Sequence, residues 1–107
     1  MKDVVLSIAK ILTENKLTLS VAESCSAGGI SSSVCSIPGS SSYFLGGIVA
    51  YSNVSKIRDL AIKEEDINTF SEVSRSVAEQ MSIGVAQNFF SDFAVSTTGY
   101  TGPTGKE

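Results

Sequence analysis

A chain of 107 residues has room for one domain and a single core. An apolar fraction of 42% and a mean hydropathy of +0.19 exclude a disordered chain. A net charge of −3, eight scattered basic residues, no long apolar run and no leader-like segment argue against nucleic-acid and membrane partners, so a cytoplasmic protein is expected.

The first element is a helix over residues 3–15, with Val4, Val5, Ile8, Ile11 and Leu12 on one face, Asp3 as N-cap and Asn15 near its end. "LTLSVAE", from Leu17, reads as a strand. A helix then starts near Ser26 and runs to about Ser36, where Pro38-Gly39 breaks it. "SSSYF" is a hydroxyl-rich loop. "FLGGIVAYS", from Phe44 to Ser52, is a second strand whose Gly46-Gly47 pair marks a bulge or a close backbone approach. Asn53 or Ser52 caps a short helix carrying Ile57, Leu60 and Ile62, and "KEEDINTF" is a short helical turn. Ser74 caps a longer helix in which Val77, Met81, Val85 and Phe89 recur every fourth residue. "DFAVSTTG" is a third strand, followed by the Gly/Pro-rich loop "YTGPTGKE". Strands alternating with helices predict an α/β layered fold with a largely parallel sheet. No helix follows the third strand, so the domain is expected to be incomplete at its C-terminal end. One side of that strand (Phe93, Val95 and Thr97, or Ala94, Ser96 and Thr98) or its free edge should then be open. A homo-oligomer, most simply a dimer, is expected to cover it.

Cys25 and Cys35 do not read as a disulfide: a helical segment between them separates the two by roughly 15 Å. Two isolated thiols in a chain without histidine are also a poor zinc site, so no metal is expected and Cys35 reads as a small buried hydrophobe.

In open α/β sheets ligands gather at the carboxyl ends of strands. Glu23, Ser24, Cys25 and Ser26 follow the first strand. Tyr51, Ser52, Asn53 and Lys56 follow the second, and Thr97, Thr98 and Gly99 follow the third. The loop Ser40-Ser41-Ser42 could close over the same crevice. Without histidine a Ser-His-Asp triad is excluded, but a neutral lysine can activate a serine. Ser24 is then the nucleophile and Lys56 the base. The amides of Cys25 and Ser26 would face the oxyanion, and Gly28 and Gly29 would permit close backbone approach of a phosphate to the helix N-terminus. Spacing alone favours plainer readings of Ser24 or Ser26 as an N-cap and Lys56 as a solvated side chain, and it also allows Tyr51 as a packing residue and Thr98 as turn chemistry. Cys25 is a rival nucleophile, but no second cysteine or histidine is placed to partner it.

Four segments together carry a more specific signal: "AESCSAGG", "PGSSSYFLGGIVAYSNVSKIRDL", "SEVSRSVAEQM" and "AVSTTGYTGPTG". In order and spacing they resemble the C-terminal domain of the competence/damage-inducible protein CinA family, which includes nicotinamide-nucleotide amidases. The resemblance runs from about Leu17 to the end. It implies a three-layer α/β/α fold with a mixed, mainly parallel sheet, here lacking its C-terminal part. It also implies hydrolysis of nicotinamide mononucleotide to nicotinate mononucleotide and ammonia by a Ser-Lys dyad, with no metal or organic cofactor. Ser24 and Lys56 fall on that dyad, while Ser41, Tyr51 and Thr98 fall on residues that orient the dyad or the substrate. Cys25, Ser26, Gly28 and Gly99 belong to the same substrate-binding loops. The family motif after the serine commonly reads Cys-Thr-Gly-Gly, against Cys25-Ser26-Ala27-Gly28 here, and a bulky Tyr100 stands in the "GIAGP" loop. The family's domain continues past that loop and includes an arginine that holds the substrate phosphate, which this chain does not reach. A catalytically inactive domain that binds a nucleotide or a partner chain is the alternative expectation.

Overall fold

The computed structural model describes residues 2–99. Tyr100 and the loop through Pro103 to Glu107 lie outside the described residues. Helix α1 spans Lys2–Asn15, strand β1 Leu19–Glu23, α2 Gly29–Cys35 and β2 Phe44–Val49. Then follow α3 (Asn53–Leu60), α4 (Glu64–Phe70), α5 (Arg75–Phe89) and β3 (Phe93–Ser96). The three strands pair in parallel in the order β2-β1-β3, so the antiparallel component of a mixed sheet is not among the described residues. The chain goes from β1 to β2 on one side, then returns past β1 to β3 on the other. The carboxyl end of β1 is therefore a switch point, where such sheets open a crevice.

Helices cover both faces. Alternate residues of each strand point to opposite sides. Ala22, Ile48 and Ala94 meet Leu60, Ile62, Ile67, Val77, Met81 and Val85 from the α3–α5 segment. Leu19, Val21 and Phe44 meet Ala9, Leu12, Val34 and Tyr43 on the other side. The four-residue repeat expected in α5 is its buried stripe: Val77, Met81 and Val85 are fully buried and Phe89 packs against them. Ser74 caps this helix by accepting from the Val77 amide (3.2 Å), and Ser52 caps α3 through the Ser55 amide (3.1 Å).

The glycine pair in β2 does both things expected of it. Leu19 pairs with Phe44 but Ser20 pairs with Gly46, which leaves Leu45 as the extra residue of a bulge. A Cβ on Gly47 would lie 2.9 Å from the Val21 carbonyl oxygen, so only glycine lets the strands and α2 close at this point.

Three expectations need correction. The buried stripe of α1 is Val5, Ala9 and Leu12, whereas Val4, Ile8 and Ile11 are exposed and Asp3 lies inside the first turn. The reason is packing: Ala9 and Leu12 join the cluster of Leu19, Val21, Val34 and Tyr43, which leaves Ile8 and Ile11 on the side facing away from it. Ile8 and Ile11 instead line an apolar hollow with Phe93 and Val95, which are 52% and 42% exposed. Among the described residues, Phe93 and Val95 mark the more exposed side of β3. Second, α2 begins at Gly29 rather than near Ser26, because residues 24–28 form a turn with positive φ at Ala27 (49°) and Gly28 (100°). Third, Cys35 is exposed at the end of α2 rather than buried. Among the described residues, no helix is long and apolar enough to cross a membrane.

Candidate active site

The three strand ends converge on one cavity of about 270 Å³, lined by Ser24, Tyr51, Ser52, Asn53, Lys56, Glu72, Thr98 and Gly99. Ser24 is the first residue after β1, and its amide donates to the Thr97 carbonyl at 3.1 Å, which ties the β1 end to the β3 end. Lys56 is in the first turn of α3. Its helix packs on α5, and the residue is 1% exposed. The Nζ donates to Ser24 Oγ at 3.1 Å and to the Tyr51 carbonyl at 3.2 Å.

A buried ammonium is costly, and here burial pulls the Lys56 pKa below its ordinary value of 10.5. Nearby Glu72 and Cys25 pull the other way without restoring it. Among the described residues no carboxylate is close enough to Lys56 to form an ion pair. In the neutral form the amine keeps two N–H groups, one for the Tyr51 carbonyl, and gains a lone pair that can accept the Ser24 hydroxyl proton. That is the requirement for a lysine to act as a base toward serine.

Glu23 shapes the turn behind Ser24. Its buried carboxylate accepts from the Ile30 amide (2.8 Å, Oε1), the Ser31 amide (2.8 Å, Oε2) and the Ser26 hydroxyl (2.7 Å, Oε1). Burial pushes the Glu23 pKa up, but hydrogen bonds from Ser26, Ser31 and Ile30 outweigh it and hold the group ionised. This corrects the expected anion site at the start of α2. The helix is seven residues long and Glu23 already occupies its Ile30 and Ser31 amides. By contrast, the amides of Cys25 and Ser26 make no hydrogen bond to another described residue.

The other sequence candidates divide. Tyr51 reaches Lys56 through its carbonyl, while its side chain is 47% exposed at the cavity mouth. Thr98 lines the cavity and its hydroxyl donates to the Glu72 carbonyl at 2.7 Å. Gly99 lines it beside Cys25, whose Sγ would lie 3.3 Å from a Cβ at position 99. Ser26 faces away, toward Glu23 and Thr97 Oγ1 (2.7 Å). Gly28 supplies the left-handed turn before α2 and does not line the cavity. Ser41 is exposed in a short 3-10 turn (residues 40–42) and is not brought to the cavity.

Glu72 is the lining residue that strand-end reasoning misses. It sits in the loop before α5. A helix leading into a parallel strand must begin at the carboxyl end of the sheet, and that topology was the available signal. Among the described residues, no group of three or more Cys, Asp or Glu side chains could hold a metal ion.

Comparison with known proteins agrees with this architecture. The family model for the CinA C-terminal domain matches residues 1–107. A CinA-like protein of Flavobacterium psychrophilum is 50% identical over 96 residues, which cover 90% of this chain and 23% of that protein. One from Sulfurihydrogenibium is 52% identical over 99 residues, 92% of this chain and 25% of the relative. The chain thus spans about a quarter of the length of these curated relatives. Among solved structures, the competence damage-inducible protein A of Klebsiella pneumoniae superposes with a TM-score of 0.95 at 27% identity, over 99% of this chain and 66% of that one. The competence/damage inducible protein CihA of Agrobacterium tumefaciens gives 0.93 at 36% identity, over 95% and 62%.

Proposed function

We propose an amide-hydrolysing reaction for this chain, which belongs to the CinA C-terminal domain family. In this reading Ser24 Oγ attacks the carboxamide carbon of nicotinamide mononucleotide while Lys56 Nζ, neutral, accepts the hydroxyl proton. Lys56 returns that proton to the amide nitrogen as the carbon–nitrogen bond breaks, and ammonia leaves. Water then gives a proton to the same amine and attacks the Ser24 ester, releasing nicotinate mononucleotide and restoring the hydroxyl. One group serves as base and then as acid, as microscopic economy in a two-step acyl transfer requires. The Cys25 and Ser26 amides are assigned to the developing oxyanion. Tyr51, Thr98 and Gly99 would orient the ring and its amide. The cavity of about 270 Å³ at the strand ends would receive the pyridine ring and its carboxamide.

The observation that carries this reading is the 3.1 Å contact between a buried lysine amine and a serine hydroxyl at the carboxyl edge of the sheet. The test is ammonia release from nicotinamide mononucleotide by the chain and by Ser24→Ala. Release that vanishes in the variant is expected. No release from the unaltered chain, with nucleotide binding retained, would favour a binding domain instead.

A further inference from the structure

We infer that Glu23 is a positioning residue for Ser24: its ionised carboxylate closes the turn over residues 24–29 and so holds the hydroxyl against Lys56. The inference rests on Ser24 being the reacting group. Glu23 is 0% exposed, yet it touches neither Lys56 nor the cavity, and the reaction gives it no proton to move. Among the described residues its hydrogen bonds go to the following turn, to α2 and to β2. Oε1 and Oε2 accept the Ile30 and Ser31 amides at the start of α2, and the Glu23 carbonyl accepts the Ala50 amide at 2.7 Å.

A second arm reaches the opposite strand. Ser26 spends its only hydroxyl proton on Glu23 Oε1 (2.7 Å), so at the 2.7 Å contact between the hydroxyls Thr97 donates to Ser26. The Thr97 carbonyl in turn holds the Ser24 amide. The nucleophile is therefore enclosed by a loop of hydrogen bonds running Ser24, Thr97, Ser26, Glu23. The turn's own backbone adds two bonds, from the Ala27 amide to the Ser24 carbonyl (3.1 Å) and from the Gly29 amide to the Ser26 carbonyl (3.0 Å). The helix starts only at Gly29, and the intervening turn carries a non-glycine residue, Ala27, at φ 49°. Such a conformation persists only when its surroundings impose it. Hydrogen bonds to a charged acceptor are the stronger kind, which suits a carboxylate to the task.

Glutamine at this position has the same shape but carries an N–H₂ group, which would meet either the Ser31 amide or the Ile30 amide, donor against donor. The experiment measures the rate at which a serine-directed fluorophosphonate labels Ser24, with ammonia release in parallel, in the full chain and in Glu23→Gln and Ser26→Ala. Each is compared well below its own melting temperature. A misplaced nucleophile costs on the order of 100-fold, so Glu23→Gln should fall by that order in labelling rate and in kcat with KM little changed. Ser26→Ala, which cuts only the arm to Thr97, should fall by less. Lower melting temperatures with native labelling rates per folded molecule would make Glu23 merely structural and overturn the inference. Should Glu23→Gln fail to fold, Glu23→Asp, which keeps the charge but draws the carboxylate back from the Ile30 and Ser31 amides, takes its place, and a native labelling rate there overturns the inference. Native labelling of Ser24 without ammonia release would defeat the proposed reaction and leave the role of Glu23 standing. No labelling of Ser24 in the unaltered chain would defeat both.

Discussion

The α5 face of the sheet and the α1 face are built from similar residues but closed to different degrees. Under α5, Val77, Met81 and Val85 are all 0% exposed, and Gly84 lets the helix press so close to α3 that a Cβ there would clash with the Leu60 carbonyl. On the α1 side, Ile8, Ile11, Phe93 and Val95 leave between 37% and 56% of their surface exposed. The candidate base belongs to the closed face. Lys56 enters the cavity from α3, and the burial that lowers its pKa comes with the packing of α3 on α5. The basicity of Lys56 thus depends on how well the α5 face is packed.

The largest effect expected from this contrast is on stability at the closed face. Met81→Ala should cost about 2–5 kcal/mol in a denaturant titration, because a long side chain leaves a fully enclosed site. A loss below about 1 kcal/mol would mean that α5 is not the packed element described here. A smaller effect concerns pH. The folded chain lowers the Lys56 pKa below its ordinary value of 10.5, so between those two values the unfolded chain binds more protons and stability rises with pH. One such group contributes a slope of at most about 1.4 kcal/mol per pH unit, and Lys56→Met should abolish it. An unchanged slope in that variant would show that the amine keeps its solution pKa. The smallest effect belongs to the open face, where Ile11→Ser should change stability by about 0.5 kcal/mol or less. A cost comparable to that of Met81→Ala would show that the hollow beside Phe93 is covered in solution.

The same contrast explains what could be read from the sequence. The α5 stripe was legible because a single helix covers a continuous row and its apolar residues recur at one spacing. Ser24 and Lys56 were legible as polar residues at strand ends, and the Gly46-Gly47 pair as a bulge. In α1 apolar residues occupy more than one face, so periodicity could not choose between Val5-Ala9-Leu12 and Ile8-Ile11; packing of Ala9 and Leu12 against Val21, Val34 and Tyr43 did. The start of α2 was misplaced because a carboxylate outside the helix, on Glu23, competes for its first amides. Glu72 carried no local signal, since it reaches the cavity only through the chain's return over the sheet.

The central claim is that Lys56 activates Ser24 as a neutral amine. Fluorophosphonate labelling measured by intact mass across pH, with the labelled peptide mapped, tests it without reference to any substrate. The account predicts a single adduct on Ser24, a rate that rises with pH and levels off below 10.5, and a loss of about 100-fold or more in Lys56→Met. Labelling on another residue, or an equal rate in Lys56→Met, would contradict it.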